Sequence, residues 1–175
     1  MSEPADLGSD LRAANAELAS TARQLEVAQR IAEVGSWEFD LATEQVVWSE
    51  QLYRIIGMDP RSPVLDFVAQ EAIYTPASWQ LLSGAVQRAI TGGGAYELTL
   101  ELLRRDGDRR TVIARGEAVR GATGAIEKLV GTLQDVTELA RVRSALVAVS
   151  ERTQIATAAA HVGVWEWSVA DNVLV

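Results

Sequence analysis

Val34-Gly35-Ser36-Trp37-Glu38 returns, from residue 162 on, as Val162-Gly163-Val164-Trp165-Glu166. The same shift of 128 positions (residue 34 to residue 162) aligns Ala28 with Ala156, Ala32 with Ala160, Ala42 with Ala170 and Val47 with Val175. Self-similarity over so long a period marks a repeated domain rather than a short solenoid unit. The chain therefore reads as one complete unit followed by the opening of a second, a piece of a larger tandem protein. Its 175 residues leave room for about one domain and a remainder.

Before the first copy lies a helix. Leu11, Leu18, Leu25 and Ala32 recur every seventh residue, with Ala14, Thr21 and Ala28 three positions after the first three, so all seven fall on one narrow stripe. Arg12, Glu17, Arg23, Glu26 and Arg30 keep the other faces polar, and no Gly or Pro intervenes up to Val34. The helix is expected to end at Gly35. A seam this narrow suits a parallel coiled coil between two chains, with packing on its own domain as the competing reading.

The first copy alternates. Trp37, Phe39 and Leu41 oppose Ser36, Glu38 and Asp40, and the run through 42–45 into Val46-Val47-Trp48 makes a hairpin. Ser49 stands at an N-cap position before a short helix over 50–56 that Gly57 stops. Asp59-Pro60 and Ser62-Pro63 break the chain, and Leu65 to Ala72 is expected to add an irregular turn or two of helix. Pro76 opens a helix over 76–91, closed by Gly92-Gly93-Gly94. Three strands follow: Tyr96 to Leu102, Thr111 to Val119 and Ile126 to Val136, the first two joined at Asp106-Gly107. The order predicts an α+β fold: a five-stranded antiparallel sheet with small helices on one face, bracketed by N- and C-terminal amphipathic helices. The outgoing helix carries a second seam, Leu139, Val142, Leu146, Val149, Thr153 and Ala156.

Charge and missing residue types narrow the function. With 24 acidic and 16 basic side chains the formal charge is −8, so attraction to a phosphate backbone is not expected and no nucleic-acid partner is assigned. The N-terminus lacks a basic stretch ahead of an apolar core, and no stretch approaches the ~20 apolar residues of a membrane span. A cytoplasmic chain, or a cytoplasmic piece of one, is expected. There is no cysteine and one histidine, which excludes disulfides, thiolate metal sites, a cysteine nucleophile and a multi-histidine metal site.

Gly35-Ser36-Trp37-Glu38-Phe39-Asp40-Leu41, Val47-Trp48-Ser49, Tyr96-Glu97-Leu98, Arg105-Asp106-Gly107 and Gly131-Thr132-Leu133-Gln134-Asp135-Val136-Thr137-Glu138 together resemble a PAS domain over residues 33–138. Residues 159–175 resemble the start of a second PAS domain. The resemblance implies the PAS fold and a sensory or relay module of a bacterial regulatory protein, commonly a histidine kinase of a two-component system or a cyclic-dinucleotide enzyme. The boundaries it suggests are 1–33 for the incoming helix, 34–138 for the domain, 139–160 for the linker helix and 161–175 for the truncated second copy. Where many relatives carry His-Pro-Asp-Asp, this chain has Tyr74-Thr75-Pro76-Ala77.

The missing residues limit the chemistry that the resemblance allows. Light sensors that form a cysteinyl-flavin adduct need a cysteine, and the first domain has no histidine to ligate haem. No cofactor is assigned, and a small non-covalent organic ligand stays open. Its candidate ligand-binding residues are Trp37, Phe39, Tyr53, Tyr74, Trp79, Tyr96, Leu98, Leu100, Ile113 and Leu133, which could equally fill one another's space as a core. Asp135 and Thr137 match the closing element that passes the sheet into a signalling helix, hence candidate relay residues that also turn and cap the chain. Leu11, Leu18, Leu25, Leu139, Val142, Leu146 and Val149 form the expected interface of a parallel homodimer, with a downstream effector domain in the parent protein.

Catalysis is not expected. Gly92-Gly93-Gly94 lacks the Lys-Ser/Thr of a phosphate loop, no nucleophile elbow is present, and His161 precedes Val162-Gly163 where a helix ends, unlike a phosphoacceptor on a dimerising helix. Arg115, in an otherwise apolar strand, reads as a solvated outward arginine or, alternatively, an anchor for an acid. Two functions remain: a ligand-sensing module that biases its outgoing coiled coil, and a ligand-free dimerisation and relay unit.

Overall fold

A computed structural model describes the backbone of residues 5–159, 167–168 and 173–174, and the side chains of residues 11–152. The chain divides into two compact units, residues 1–136 and 137–175.

In the first unit, helix α1 (Ala5–Ile31) leads into strand β1 (Val34–Asp40). The helix stops earlier than its glycine suggested. Glu33, at φ 53, makes the left-handed turn, and Gly35 already lies within β1 opposite Leu133. Gly35 is needed for closeness: a β-carbon there would lie 2.6 Å from the Leu52 Cα. β1 turns into β2 (Val46–Trp48) through Asp40, whose carboxylate accepts from the Thr43 and Ala42 amides at 2.8 and 3.0 Å.

Ser49 caps α2 (Glu50–Ile56) by accepting from the Leu52 amide, and the same Oγ accepts from the Ser36 amide at 2.9 Å, which ties the helix start to β1. Gly57, at φ 78, closes the helix with its amide donating to the Arg54 carbonyl, and the Arg104 guanidinium donates to the Ile55 and Arg54 carbonyls there. A 3₁₀ turn (Ala69–Ile73) then leads to α3 (Pro76–Gly92), capped by Thr75 and ended by Gly93 at φ 75.

Strands β3 (Tyr96–Leu103), β4 (Arg109–Arg120) and β5 (Ile126–Asp135) complete an antiparallel sheet in the order β2-β1-β5-β4-β3. One face carries Leu100, Leu102, Val112, Ala114, Leu129 and Leu133, and packs with Leu52, Ile55 and Ile56 of α2 and Leu82, Val86 and Ala89 of α3 in a single core. At roughly 1.5–3 kcal/mol per fully buried aliphatic side chain, this contact holds the helices to the sheet. The other face carries ion pairs across strands: Arg115 meets Glu97 at 2.6 Å and Lys128 meets Glu38 at 2.9 Å.

In the second unit, α4 (Thr137–Ala159) precedes two short antiparallel strands, β6 (Trp167–Ser168) and β7 (Val173–Leu174). Trp167 pairs with Leu174 and Ser168 with Val173. Moved back by the repeat interval, the first of these is the Phe39–Val46 pair of the β1–β2 hairpin. The remaining residues of the recurrent segment, His161 among them, lie outside the described residues.

Candidate functional site

Position on the pleated sheet decides which aromatic side chains meet. Trp48, Trp37, Gly131, Gly116 and Tyr96 form one row across all five strands. The two central positions have no side chain, so the row is a trough with an aromatic ring at either end. Tyr96 leans into it: a β-carbon at Gly116 would lie 2.6 Å from the Tyr96 hydroxyl. Trp37 leans in from the other side over Gly131.

Between the sheet and its helices lies a cavity of about 50 Å³ that shares Trp37, Trp48 and Tyr96 with this row. Trp37 and Phe39 of β1, Val46 and Trp48 of β2, and Tyr96, Ala114, Leu129 and Leu133 of the other strands make its floor. Leu52 and Ile56 of α2, Leu82 and Val86 of α3, and Tyr74 just before α3 also line it, with Phe67 from the loop and Gln70 from the 3₁₀ turn. None of these described lining residues carries a charge. The rings pack in a chain: Phe39 stacks on Phe67, Phe67 tilts against Trp79, and Trp79 stacks on Tyr74. Burial pushes the phenol pKa of Tyr74, and likewise that of Tyr96, well above the ordinary tyrosine value, with Tyr96 adding to the effect at Tyr74. Both hydroxyls therefore stay protonated donors at neutral pH.

Of the candidate ligand-binding residues, Trp37, Phe39, Tyr74, Tyr96 and Leu133 come together around this cavity. The others are placed elsewhere. Tyr53 is buried, sets its ring edge-on to Trp48 and donates to the Ser62 carbonyl at 3.4 Å. Trp79 tilts against Phe67 and stacks on Tyr74, outside the lining. Leu98 and Leu100 share the inward face, but Leu100 is fully buried in the core and Leu98 does not line the cavity. Ile113 sits between inward Val112 and Ala114, so strand alternation turns it to the opposite face of the sheet. Trp48, Phe67 and Gln70 enter the lining without having been singled out from sequence. For Trp48 a signal exists, since hairpin pairing sets it directly opposite Trp37.

The closing element sits at the end of β5. Asp135 pairs with Arg110 at 3.3 Å, and Arg110 also holds Asp108 at 2.7 Å, so the β3–β4 hairpin is tied to the last residue of the sheet. Thr137 is buried and opens α4. The seam residues Leu11, Leu18 and Leu25 of α1 are 64%, 68% and 59% exposed, and Leu139, Val142, Leu146 and Val149 of α4 are exposed as well. Among the described residues there is no cluster of metal-ligating side chains, and no helix is long and apolar enough to cross a membrane.

No curated protein matches the chain. Solved structures do. A sensory box histidine kinase/response regulator from Burkholderia thailandensis is 21% identical, with a TM-score of 0.60 over 75% of this chain and 98% of that one. The N-terminal domain of a diguanylate cyclase with PAS/PAC sensor from Marinobacter aquaeolei is 19% identical, with a TM-score of 0.53 over 59% of this chain and 95% of that one. A PAS domain from the fruit-fly ELK potassium channel is 8% identical, with a TM-score of 0.51 over 66% of this chain and 97% of that one. A kinase, a cyclase and a channel share the fold, so the fold by itself names no effector. The family model for the PAS fold matches residues 45–133, and the chain belongs to the PAS family.

Proposed function

We propose that this chain is a sensory and signal-relay module of a bacterial regulatory protein of the histidine kinase or cyclic-dinucleotide enzyme type. It works in the cytoplasm as a parallel homodimer and has no catalysis of its own. The observation that carries this reading is the line of exposed leucines on α1. Leu11, Leu18 and Leu25 repeat at heptad spacing on a helix of 27 residues, and each side chain is more than half exposed. A second copy of the same helix buries all three at once, in register. Leu139, Val142, Leu146 and Val149 offer the same pattern on α4, so a change in the domain alters the pitch or register of the coiled coil that leaves it.

In this reading Asp135 and Thr137 pass that change from β5 into α4. The β6–β7 pair, in the register of β1–β2, supports a second PAS domain following in tandem. A ligand-free relay is the second reading, favoured by how little space the aromatic rings leave between sheet and helices.

The absence of cysteine makes a clean test of orientation available. Leu11→Cys, oxidised in the otherwise cysteine-free chain, is expected to give a disulfide-linked dimer, because a parallel seam brings each residue opposite its own copy. Leu11→Cys left monomeric on denaturing gels, with crosslinks only in a mixture of Leu11→Cys and Leu25→Cys chains, would replace the parallel dimer by an antiparallel one.

A further inference from the structure

Among the described residues one buried side-chain polar atom, Gln51 Oε1, has no hydrogen-bond partner. It belongs to the first turn of α2, on a cleft of about 70 Å³ that Gln51 and Arg54 share with Val27, Gln29 and Arg30 of α1. A buried acceptor without a donor is unfavourable, because it has given up water and gained nothing. No water or small ligand reaches an atom closed to solvent, so the missing donor has to come from the chain itself. The cleft holds donors from three other residues. The Gln29 amide is given to the Ser36 hydroxyl at 3.0 Å, and the Arg54 guanidinium to the Glu50 carboxylate. The Arg30 guanidinium has no partner among the described residues.

The attachment of α1 suits a movement that would join the two. The helix ends on Glu33, a residue other than glycine at φ 53, which lies outside both α1 and β1. Residues at the ends of elements absorb the dihedral changes of a hinge. We propose that α1 is a strap with a second, closed position, in which its last turns move onto α2 about Glu33, the Arg30 guanidinium donates to Gln51 Oε1, and Val27, 43% exposed in the open position, is covered. Leu25 and Ala28 ride on the same turns, so a change arriving along the paired helices opens or closes the cleft. The hinge is also bonded onward, since the Glu33 carbonyl accepts from the Asp135 amide at 3.0 Å. The strap thus gives the domain an input from its N-terminal side; it rests on the relay reading above for its purpose, though not for its geometry.

The test is NMR of the full, carbon-13-labelled chain, read at the Val27 methyl signals in wild type, Arg30→Ala, Gln51→Met and the double variant. Met keeps the length of Gln51 and removes its acceptor, and Arg30 is exposed, so each variant should keep the wild-type circular dichroism. In the open position the two groups are not bonded, so coupling between them reports the closed one. Arg30→Ala should move the Val27 signals, and in the Gln51→Met background the same change should move them at least 3-fold less. Val27 signals that Arg30→Ala leaves unmoved, or moves equally in both backgrounds, overturn the strap. Sedimentation of the same samples separates this from the reading it rests on. An uncoupled pair in a dimeric chain leaves the relay standing, whereas a coupled pair in a monomeric wild-type chain keeps the strap and removes the dimer.

Discussion

Asp135 and Arg110 meet at 3.3 Å at the end of the sheet, and the same guanidinium holds Asp108 at 2.7 Å. The pair therefore joins the β3–β4 hairpin to the last residue of β5, two positions before α4 begins. Side-chain exposure of 26% for Arg110 and 10% for Asp135 makes it better shielded than a surface ion pair. Arg110→Ala is expected to lower unfolding free energy by about 1–2 kcal/mol in urea melts, with the m-value unchanged. A change below about 0.3 kcal/mol would show that the contact is solvated and carries nothing.

Asp135→Ala in the parent protein is expected to leave the fold intact and uncouple input from output. The checks are circular dichroism for the fold and the effector's response to its stimulus for the coupling. An unaltered response would take Asp135 out of the relay.

Gly116 and Tyr96 are coupled by closeness. Gly116→Val should cost about 1–3 kcal/mol, because the new side chain enters the space of the tyrosine ring. In a Tyr96→Ala background the same change should cost at least about 0.5 kcal/mol less. Equal costs in both backgrounds would mean that the ring does not rest on the glycine.

Burial raises the phenol pKa values of Tyr74 and Tyr96 in the folded chain. The sign follows from linkage. Below about pH 10 both states hold the protons and stability is unaffected. Above it the unfolded chain releases them while the folded chain does not, so stability falls as pH rises. Tyrosinate absorbance should show both phenols resisting titration until the fold itself gives way. Ordinary titration of Tyr74 and Tyr96 in a chain that is still folded would place the two rings in solvent.

Much of the framework follows from local rules that the residues state directly. Ser49 and Thr75 cap helices, Gly57 and Gly93 end them, and Asp106-Gly107 turns a hairpin, because each acts on backbone within a few residues of itself. Gly35 shows where such rules fail. As a helix stop it reads well, yet the turn is made by Glu33, and Gly35 instead serves a contact with Leu52 on another element. The cavity shows a second limit. Alternation separates the faces of a strand, so Tyr96 and Leu133 can be assigned inward, but which inward row meets a cavity depends on where α2 and α3 lie across the sheet. Ile113 is apolar by type but outward by register, and Phe67 and Gln70 come from a loop and a short 3₁₀ turn without periodicity. The Gly116–Gly131 trough is legible only once pairing puts the two glycines side by side.

The dimer stands or falls with Leu18, the middle leucine of the α1 seam. Sedimentation equilibrium of the full chain and of Leu18→Glu tests it most directly. Two leucines are lost per dimer, each worth roughly 1.5–3 kcal/mol when fully buried, and two carboxylates are forced together, so the substitution should weaken the dimer at least about 100-fold. A wild-type dimer with a monomeric Leu18→Glu variant is the predicted result. A wild-type monomer, or a variant dimer of unchanged affinity, would contradict the coiled-coil relay.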